Sequence, residues 1–386
     1  MLWLIALGSA LAADEAPEFT PEVQVRPRME AHTGRDGVKD EGDSLWISQR
    51  SRIGGTMKLG PTSARVVVQD VRGWGTEADT LGDLSADAID VRIAYLTYKP
   101  TKGVKAIIGR QEINLHEQRL IGAVDWTQQG RVFDGGMLKL KGDSVNMDVF
   151  GAMLYEGNQV DADERDSTLW GFRGGWASDN AVVDLVAIWD HFGELETDRQ
   201  TVGVYAKGGS GALSGRAEAY YQMGSVGDDG SIAAWMAGVQ GTFAPDHALK
   251  PQITLWYDHL SGDDDPTDGD ITFFNTLYAT NHKFYGRADM AVFGQGGMAD
   301  GRGLQDIALK AAFKPVKKLK VNLDIHHFMA SDPQGGDSAI AQEVDLWAGT
   351  KLADNLSLGA GAAVWLSAVD GADNDMWGFL MLDAKY

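Results

Sequence analysis

The stretch Leu213-Ser214-Gly215-Arg216-Ala217-Glu218-Ala219-Tyr220-Tyr221-Gln222-Met223 decides the fold. Leu213, Gly215, Ala217, Ala219, Tyr221 and Met223 fall on one face, and Ser214, Arg216, Glu218, Tyr220 and Gln222 on the other. Successive side chains alternate faces only in a β-strand, so a sustained period of two marks one. The pattern recurs. In Gln24–His32, Val25, Pro27, Met29 and Ala31 oppose Gln24, Arg26, Arg28, Glu30 and His32. Gln305–Lys314 and Leu319–Phe328 alternate in the same way.

About eighteen such segments lie between residues 22 and 386. Their connections alternate in length. Short turns are expected at Pro61-Thr62, Pro100-Thr101, Gly142, Ser178-Asp179, Gly208-Gly209, Pro245-Asp246, Pro315-Val316 and Ala353-Asp354. Mostly longer connections are expected at 75–86, 113–130, 156–166, 193–198, 224–231, 261–303, 331–341 and 368–375. Lysines sit beside the short turns, as at Lys99, Lys102, Lys139, Lys141, Lys317 and Lys318. Acids crowd the long loops: Glu77, Asp79, Asp83 and Asp87, then Asp161, Asp163, Glu164 and Asp166, then Asp263 to Asp270. This is the plan of an all-β, up-and-down antiparallel barrel in an outer membrane, with short periplasmic turns and long external loops. A soluble β-sandwich or β-helix is the alternative, because period two alone does not tell an inner face from an outer one. The aromatic end, Leu380 to Tyr386, favours the membrane barrel.

Composition excludes other classes. With 34 basic and 55 acidic side chains the formal net charge is −21, opposite in sign to a nucleic-acid-binding surface. There is no Cys, hence no disulfide scaffold, thiolate metal site or cysteine nucleophile. The 48 glycines exceed an ordinary share and suit a protein of many turns. Residues 2–12 form an apolar run too short to span a bilayer, ending in an Ala10-x-Ala12 step. It lacks the Lys or Arg that usually precedes such a run. We expect a signal peptide at 1–12 and one barrel domain over 13–386; a buried first element is the alternative.

Signs of enzyme chemistry are weak. His116-Glu117 lacks the second His of a zinc-protease helix. His326 and His327 are neighbours on a strand and point to opposite faces. The glycine clusters Gly209-Ser210-Gly211 and Gly294-Gln295-Gly296-Gly297 read as turn and loop. The acidic run 262–270 places Asp263, Asp265 and Asp268 on a turn-rich loop. It could hold a structural Ca²⁺ through hard oxygen ligands, or could simply be a solvated loop.

Arginines inside strands carry the most information: Arg26, Arg28, Arg50, Arg52, Arg72, Arg92, Arg110 and Arg216. On most of these strands they oppose the apolar face and should point into the lumen. Several have an acid two residues away: Arg28 with Glu30, Asp70 with Arg72, Asp90 with Arg92, Arg110 with Glu112, Arg216 with Glu218. Such pairs could brace a wide barrel. The surplus on the first two strands, Arg26, Arg28, Arg50 and Arg52, could instead form a ladder for an anion.

Gly109-Arg110-Gln111-Glu112, Arg119-Leu120-Ile121-Gly122, Asp125-Trp126 and Gly130-Arg131-Val132-Phe133-Asp134 together resemble the alginate-export family of outer-membrane channels. So do Val68 to Gly75, and Ser261 to Pro266 running on to His282-Lys283-Phe284-Tyr285-Gly286 and Ala288-Asp289. The resemblance implies an eighteen-stranded barrel in the bacterial outer membrane. It implies a passive conduit lined by Arg, Lys and acids, with Arg110, Glu112, Arg119, Asp125, Arg131 and Asp134 lining or narrowing the pore. Arg131 and Asp134 differ in parity, so both face inward only if a bulge or loop intervenes. The expected cargo is an anionic polysaccharide such as a polyuronate; a selective porin for small anionic or other hydrophilic solutes is the alternative. Expected surroundings are outer-membrane lipid and lipopolysaccharide, with room for periplasmic export partners. No nucleic acid and no bond-making chemistry are expected.

Overall fold

A computed structural model describes residues 16–33, 43–76, 89–156, 166–293, 298–369 and 372–386. The expected signal peptide, the acids Glu77 to Asp87 and Asp161 to Glu164, and the glycine run at 294–297 lie outside them. Eighteen strands form one antiparallel sheet. They are β1 Glu18–Thr33, β2 Ser44–Leu59, β3 Thr62–Gly73, β4 Ile89–Tyr98, β5 Val104–Gln111, β6 Phe133–Lys141, β7 Val145–Tyr155, β8 Ser167–Ala177 and β9 Ala181–Phe192. There follow β10 Thr197–Ser210, β11 Leu213–Val226, β12 Gly230–Phe243, β13 Gln252–Leu260, β14 Leu304–Val316, β15 Leu319–Met329, β16 Ala339–Ala353, β17 Leu356–Ser367 and β18 Asp375–Lys385.

Each strand pairs with its neighbours in sequence, and β1 pairs with β18 to close the barrel. Closure removes the two free edges that an open sheet of this size would expose. The two chain ends meet at the short-turn end, where Val23 and Tyr386 exchange backbone hydrogen bonds of 3.0 and 2.9 Å.

Burial follows the alternation. In β9, Asp184, Val186, Ile188 and Asp190 are buried, while Val183, Leu185, Ala187 and Trp189 are exposed. The exposed set is the outer face, because large aliphatics such as Ile53, Leu96, Ile108, Leu185 and Leu255 stand out on it around the barrel. Two aromatic belts flank them: Tyr98, Trp176, Phe243 and Phe313 toward the short turns, and Trp170, Trp189, Tyr221, Trp235 and Tyr257 toward the long loops. An apolar band between aromatic girdles is the surface of a lipid-embedded barrel and not the inner face of a sandwich.

Three connections differ from the expected lengths. Strands β10 to β12 extend further toward the long-loop end than the pattern suggested, leaving only 193–196 and 227–229 as connections there. The turn expected at Pro245-Asp246 is an eight-residue link, 244–251, in which Lys250 donates to Asp246 Oδ1 at 2.6 Å.

The outer face predicts a depth-dependent cost. Replacing Leu185 near the middle of β9 by Arg should destabilise the barrel by about 2–4 kcal/mol in urea unfolding from lipid. Asp246→Arg, in the exposed 244–251 link, should change it by less than about 0.5 kcal/mol.

Candidate pore and its arginine face

The two longest described connections fold into the lumen. Residues 112–132 and 261–303 are joined by a parallel bridge between Ile121 and Tyr278. Tyr278 N–H donates to the Leu120 carbonyl at 2.8 Å, and Gly122 N–H to the Tyr278 carbonyl at 2.8 Å. Ile113, Leu115, Leu120 and Ile121 from the first connection pack with Phe274, Phe284, Tyr285 and Val292 from the second. Both pack onto inward wall residues such as Phe133, Phe150, Leu169, Ile188, Met236, Trp256 and Phe328. The two inward loops and the wall behind them therefore form an apolar core inside the barrel.

A buried ionic knot fastens this core. Arg119 is 1% exposed. Its Nη2 lies 2.7 Å from Asp258 Oδ2, its Nε 3.2 Å from Glu218 Oε1, and its Nη1 donates to Tyr285 Oη at 2.7 Å. The guanidinium also lies 3.8 Å from the Phe284 ring centre. Burial lowers the pKa of Arg119, but Asp258, Tyr285 and Glu218 outweigh it and raise it. Arg216 continues the knot, with Nη1 at 3.1 Å from Glu117 Oε2 and 3.2 Å from Glu218 Oε1. Arg119 is thus enclosed among protein groups and does not face open lumen.

The opposite side of the lumen, on β1 to β4, is polar. Arg26 donates to the carbonyls of Asp125, Trp126 and Thr127 at 2.7, 3.0 and 2.9 Å and to Gln128 Oε1. Arg28 binds Glu30 at 2.7 Å and the Trp126 carbonyl, with its guanidinium 4.3 Å from the Trp126 ring centre. Arg50 reaches Asp125 Oδ1 at 2.9 Å; Arg52 reaches it at 3.4 Å and Gln69 Oε1 at 2.7 Å. Arg92 donates from Nη2 to Glu112 at 2.9 Å. Arg65, unremarked in the sequence, forks onto Glu22 at 2.7 and 2.6 Å. Arg52, Arg65 and Arg92, with Glu22, Glu112, Asp125 and Lys385, line a cavity of about 450 Å³ between this wall and the inward loop. Six arginines stand here against four carboxylates: Glu22, Glu30, Glu112 and Asp125. Much of the hydrogen bonding goes to carbonyl oxygens, which accept a proton donor without cancelling its charge.

Gly130 lets the loop approach this wall. Its φ of +67° is a left-handed conformation, and a Cβ there would stand 2.6 Å from Arg92 Nη2. Arg131 belongs to the loop and not to β6; it donates to the carbonyls of Tyr278 and Ala279 and so ties the two inward loops together. That resolves the parity difference with Asp134.

Four residues expected to line the pore face outward. Asp70 pairs in register with Ser51, beside inward Arg50 and Arg52, so Asp70 and Arg72 lie on the outer face and bind each other at 2.7 Å. Arg110 shares its face with Ile108, and Asp134 shares its face with Leu138; the two bind at 2.8 Å, with Asp90 at 3.7 Å from Arg110. The cause lies in the runs Val66-Val67-Val68 and Ala106-Ile107-Ile108, where three consecutive aliphatics erase the alternation. In β4 a bulge sets Val67 opposite Ile93 but Val68 opposite Val91, which turns the extra residue, Arg92, inward. Partners change accordingly: Glu112 goes to Arg92 and Asp90 to Arg110. The Arg28–Glu30 and Arg216–Glu218 pairs are present as spaced in sequence.

Asp263, Asp265 and Asp268 accept hydrogen bonds from their own loop, while Asp270 accepts from Ser231 N–H at 2.7 Å. Asp263 accepts from Asp265 N–H at 3.2 Å, Asp265 from Thr267 N–H at 3.1 Å, and Asp268 from Asp270 N–H at 2.8 Å. Among the described residues no three of them converge to ligand distance.

Two predictions follow from the anchoring of the loops. Arg119→Met leaves Asp258 buried without its cation and Glu218 with Arg216 alone. It should cost about 3–5 kcal/mol in denaturant unfolding and raise single-channel noise as the core loosens. Asp125 is opposed by burial, which raises its pKa, but Arg50 and Arg26 outweigh that and hold its carboxyl below the usual 3.8. A depressed acid contributes stability above its unfolded pKa and loses it as pH falls through the folded value. Conductance should thus be steady from pH 7 to about pH 4 and shift only below that, and Asp125→Asn should remove the acid transition.

The family-model description "Alginate export" matches residues 20–364. No curated protein sequence matches. Among solved structures the fold is similar to Pseudomonas aeruginosa OpdL, with a TM-score of 0.66 at 12% identity over 96% of this chain and 99% of that one. It is similar to P. aeruginosa OpdQ, with 0.63 at 10% identity over 95% and 98%. It is likewise similar to Acinetobacter baumannii OccAB4, with 0.63 at 11% identity over 95% and 98%. The match of the family model over nearly the whole barrel, on a closed lipid-facing eighteen-stranded wall, establishes that this chain belongs to the alginate-export family of outer-membrane β-barrel channels.

Proposed function

We propose that the barrel is a passive, anion-selective channel whose solute passes along the β1–β4 wall. The observation that carries this reading is the surplus of arginine over carboxylate along that wall as a whole, three of whose arginines, Arg52, Arg65 and Arg92, line a cavity of about 450 Å³ together with Glu22, Glu112, Asp125 and Lys385. Arginine stays charged at every physiological pH and matches a carboxylate with a planar fork, so it both raises the local anion concentration and orients the anion. Glu22, Glu112 and Asp125 divide the wall into separate cationic steps, which keeps an anion from binding too tightly to leave.

A polyuronate chain, one carboxylate per sugar, is the cargo that family membership favours. The filled lumen favours the second reading, a selective porin for small organic anions, because the route beside the inward loops is narrow. On either reading the side chains bind and release, and none is assigned a bond-making step. The outward pairs Asp70–Arg72 and Arg110–Asp134 would then lie near lipopolysaccharide headgroups at the long-loop rim, and any periplasmic export partner would meet the short-turn end.

Planar-bilayer recordings in a salt gradient test selectivity. Wild type should show a reversal potential of the anion-selective sign. Arg52→Gln combined with Arg92→Gln should bring it toward zero while leaving barrel folding intact. Cation selectivity in wild type would overturn the reading. Blockade by a uronate oligomer supports the polymer cargo; blockade by monomeric carboxylates alone supports the small-solute porin.

A further inference from the structure

Outside the arginine face, one group of side chains lacks the partners its burial demands. Strands β15 and β16 set Asp324 directly opposite Asp345, and His326 directly opposite Glu343. All four point inward. Asp345 is 0% exposed and His326 1% exposed. Neither oxygen of Asp345 has a hydrogen-bond partner, and neither does His326 Nε2. No cation among the described residues comes within 4.0 Å of Asp345. Arg287 stacks at 4.0 Å over the Trp347 ring and points Nη1 to His282 Nε2 at 3.4 Å. Lys310 stands 3.8 Å from one oxygen of Asp324. The Glu343 carboxyl lies within hydrogen-bonding reach of Asp345, so these buried acids need either a shared proton or a bound cation to offset their charge.

The imidazole is already oriented for a ligand role. Asp306, on β14, holds His326 Nδ1 at 2.9 and 3.0 Å from its two oxygens. A carboxylate on one ring nitrogen fixes the tautomer that leaves the other nitrogen with a free lone pair, which is how metal-binding histidines are commonly held. A ring nitrogen of His326 and oxygens of Asp324 and Asp345 all lie within 4.8 Å of one another. A cation bonded at about 2.1 Å to each would hold them roughly 3–4 Å apart, a small contraction from that spacing.

We propose that Asp324, His326 and Asp345 bind a divalent transition ion of the Zn²⁺ type, with Asp306 as positioning residue. One imidazole and two carboxylates suit a borderline ion better than Ca²⁺, which takes six to eight oxygens. Asp324 keeps partial exposure to the lumen and provides the way in. The bound ion cancels buried negative charge next to the seat of the second inward loop. There Glu343 accepts the N–H groups of Arg287 and Ala288 at 2.6 and 2.9 Å. Gly286, at φ +80°, allows that approach, since a Cβ would sit 2.5 Å from the Glu343 carboxylate. The ion is thus structural: it joins β15 and β16 where the loop docks.

The test uses untagged full-length protein extracted from membranes, stripped with a chelator and titrated with Zn²⁺ alone. Calorimetry and elemental analysis should show one tight equivalent per chain, no comparable Ca²⁺ uptake, and a higher unfolding temperature with Zn²⁺. Asp345→Asn and His326→Gln should each abolish the tight equivalent, and Asp306→Asn should weaken it about 10–100-fold. Asp246→Asn should bind like wild type. Absence of a stoichiometric ion in stripped and reloaded wild type would overturn the proposal and leave a proton on the Asp345–Glu343 pair as the neutralising agent. Equal Zn²⁺ uptake by wild type and whichever of the two ligand variants folds would overturn it too.

Discussion

A guanidinium with no access to water is the constraint on which this structure depends. Arg119 reaches the middle of the barrel on a loop, and there it must be surrounded by groups that replace water. The wall supplies Glu218 from β11 and Asp258 from β13, and the second inward loop supplies Tyr285. Meeting the needs of one charge therefore joins three separate parts of the chain. The apolar contacts between Ile121, Phe284 and the wall complete the seal around the ion group. The barrel interior thus holds a packed core, with a cavity left beside the β1–β4 wall.

That side is where charge is left in surplus. The arginines of β1 and β2 anchor the loop largely through backbone carbonyls, and this anchoring does not consume their charge. Bracing of the loop by Arg26 and Arg50 is therefore compatible with the anion attraction proposed for the same wall. The net charge of −21 says little about the solute for the same reason. The inner wall of β1 to β4 carries the opposite sign to the whole.

Much of this was legible in sequence, where the alternation was clean. Leu213–Met223 reads as a strand with Arg216 and Glu218 inward, and so it is. The count of eighteen strands follows from repeating that reading. Legibility failed where alternation lapsed. Val66 to Val68 and Ala106 to Ile108 conceal which face Asp70, Arg72 and Arg110 occupy, and a single bulge beside Arg92 resets its strand. Loops posed a different difficulty: nothing local in 113–130 says that Ile113, Leu120 and Ile121 are there to meet Phe284 across the lumen. The Asp324–His326–Asp345 group is hidden in the sequence because His326-His327, adjacent on a strand, face opposite sides and signal no joint site. The informative spacing was Asp324-x-His326 with Glu343-x-Asp345, visible only once register pairs the two strands.

The central claim is that anions follow the β1–β4 arginine face past two loops clamped in the lumen. Anomalous diffraction from bromide-soaked crystals tests it most directly. The account predicts bromide peaks along the cavity wall at Arg52, Arg65 and Arg92, with none inside the Arg119 core. Peaks confined to the barrel exterior, or a continuous file of them through the region assigned to the apolar core, would contradict it.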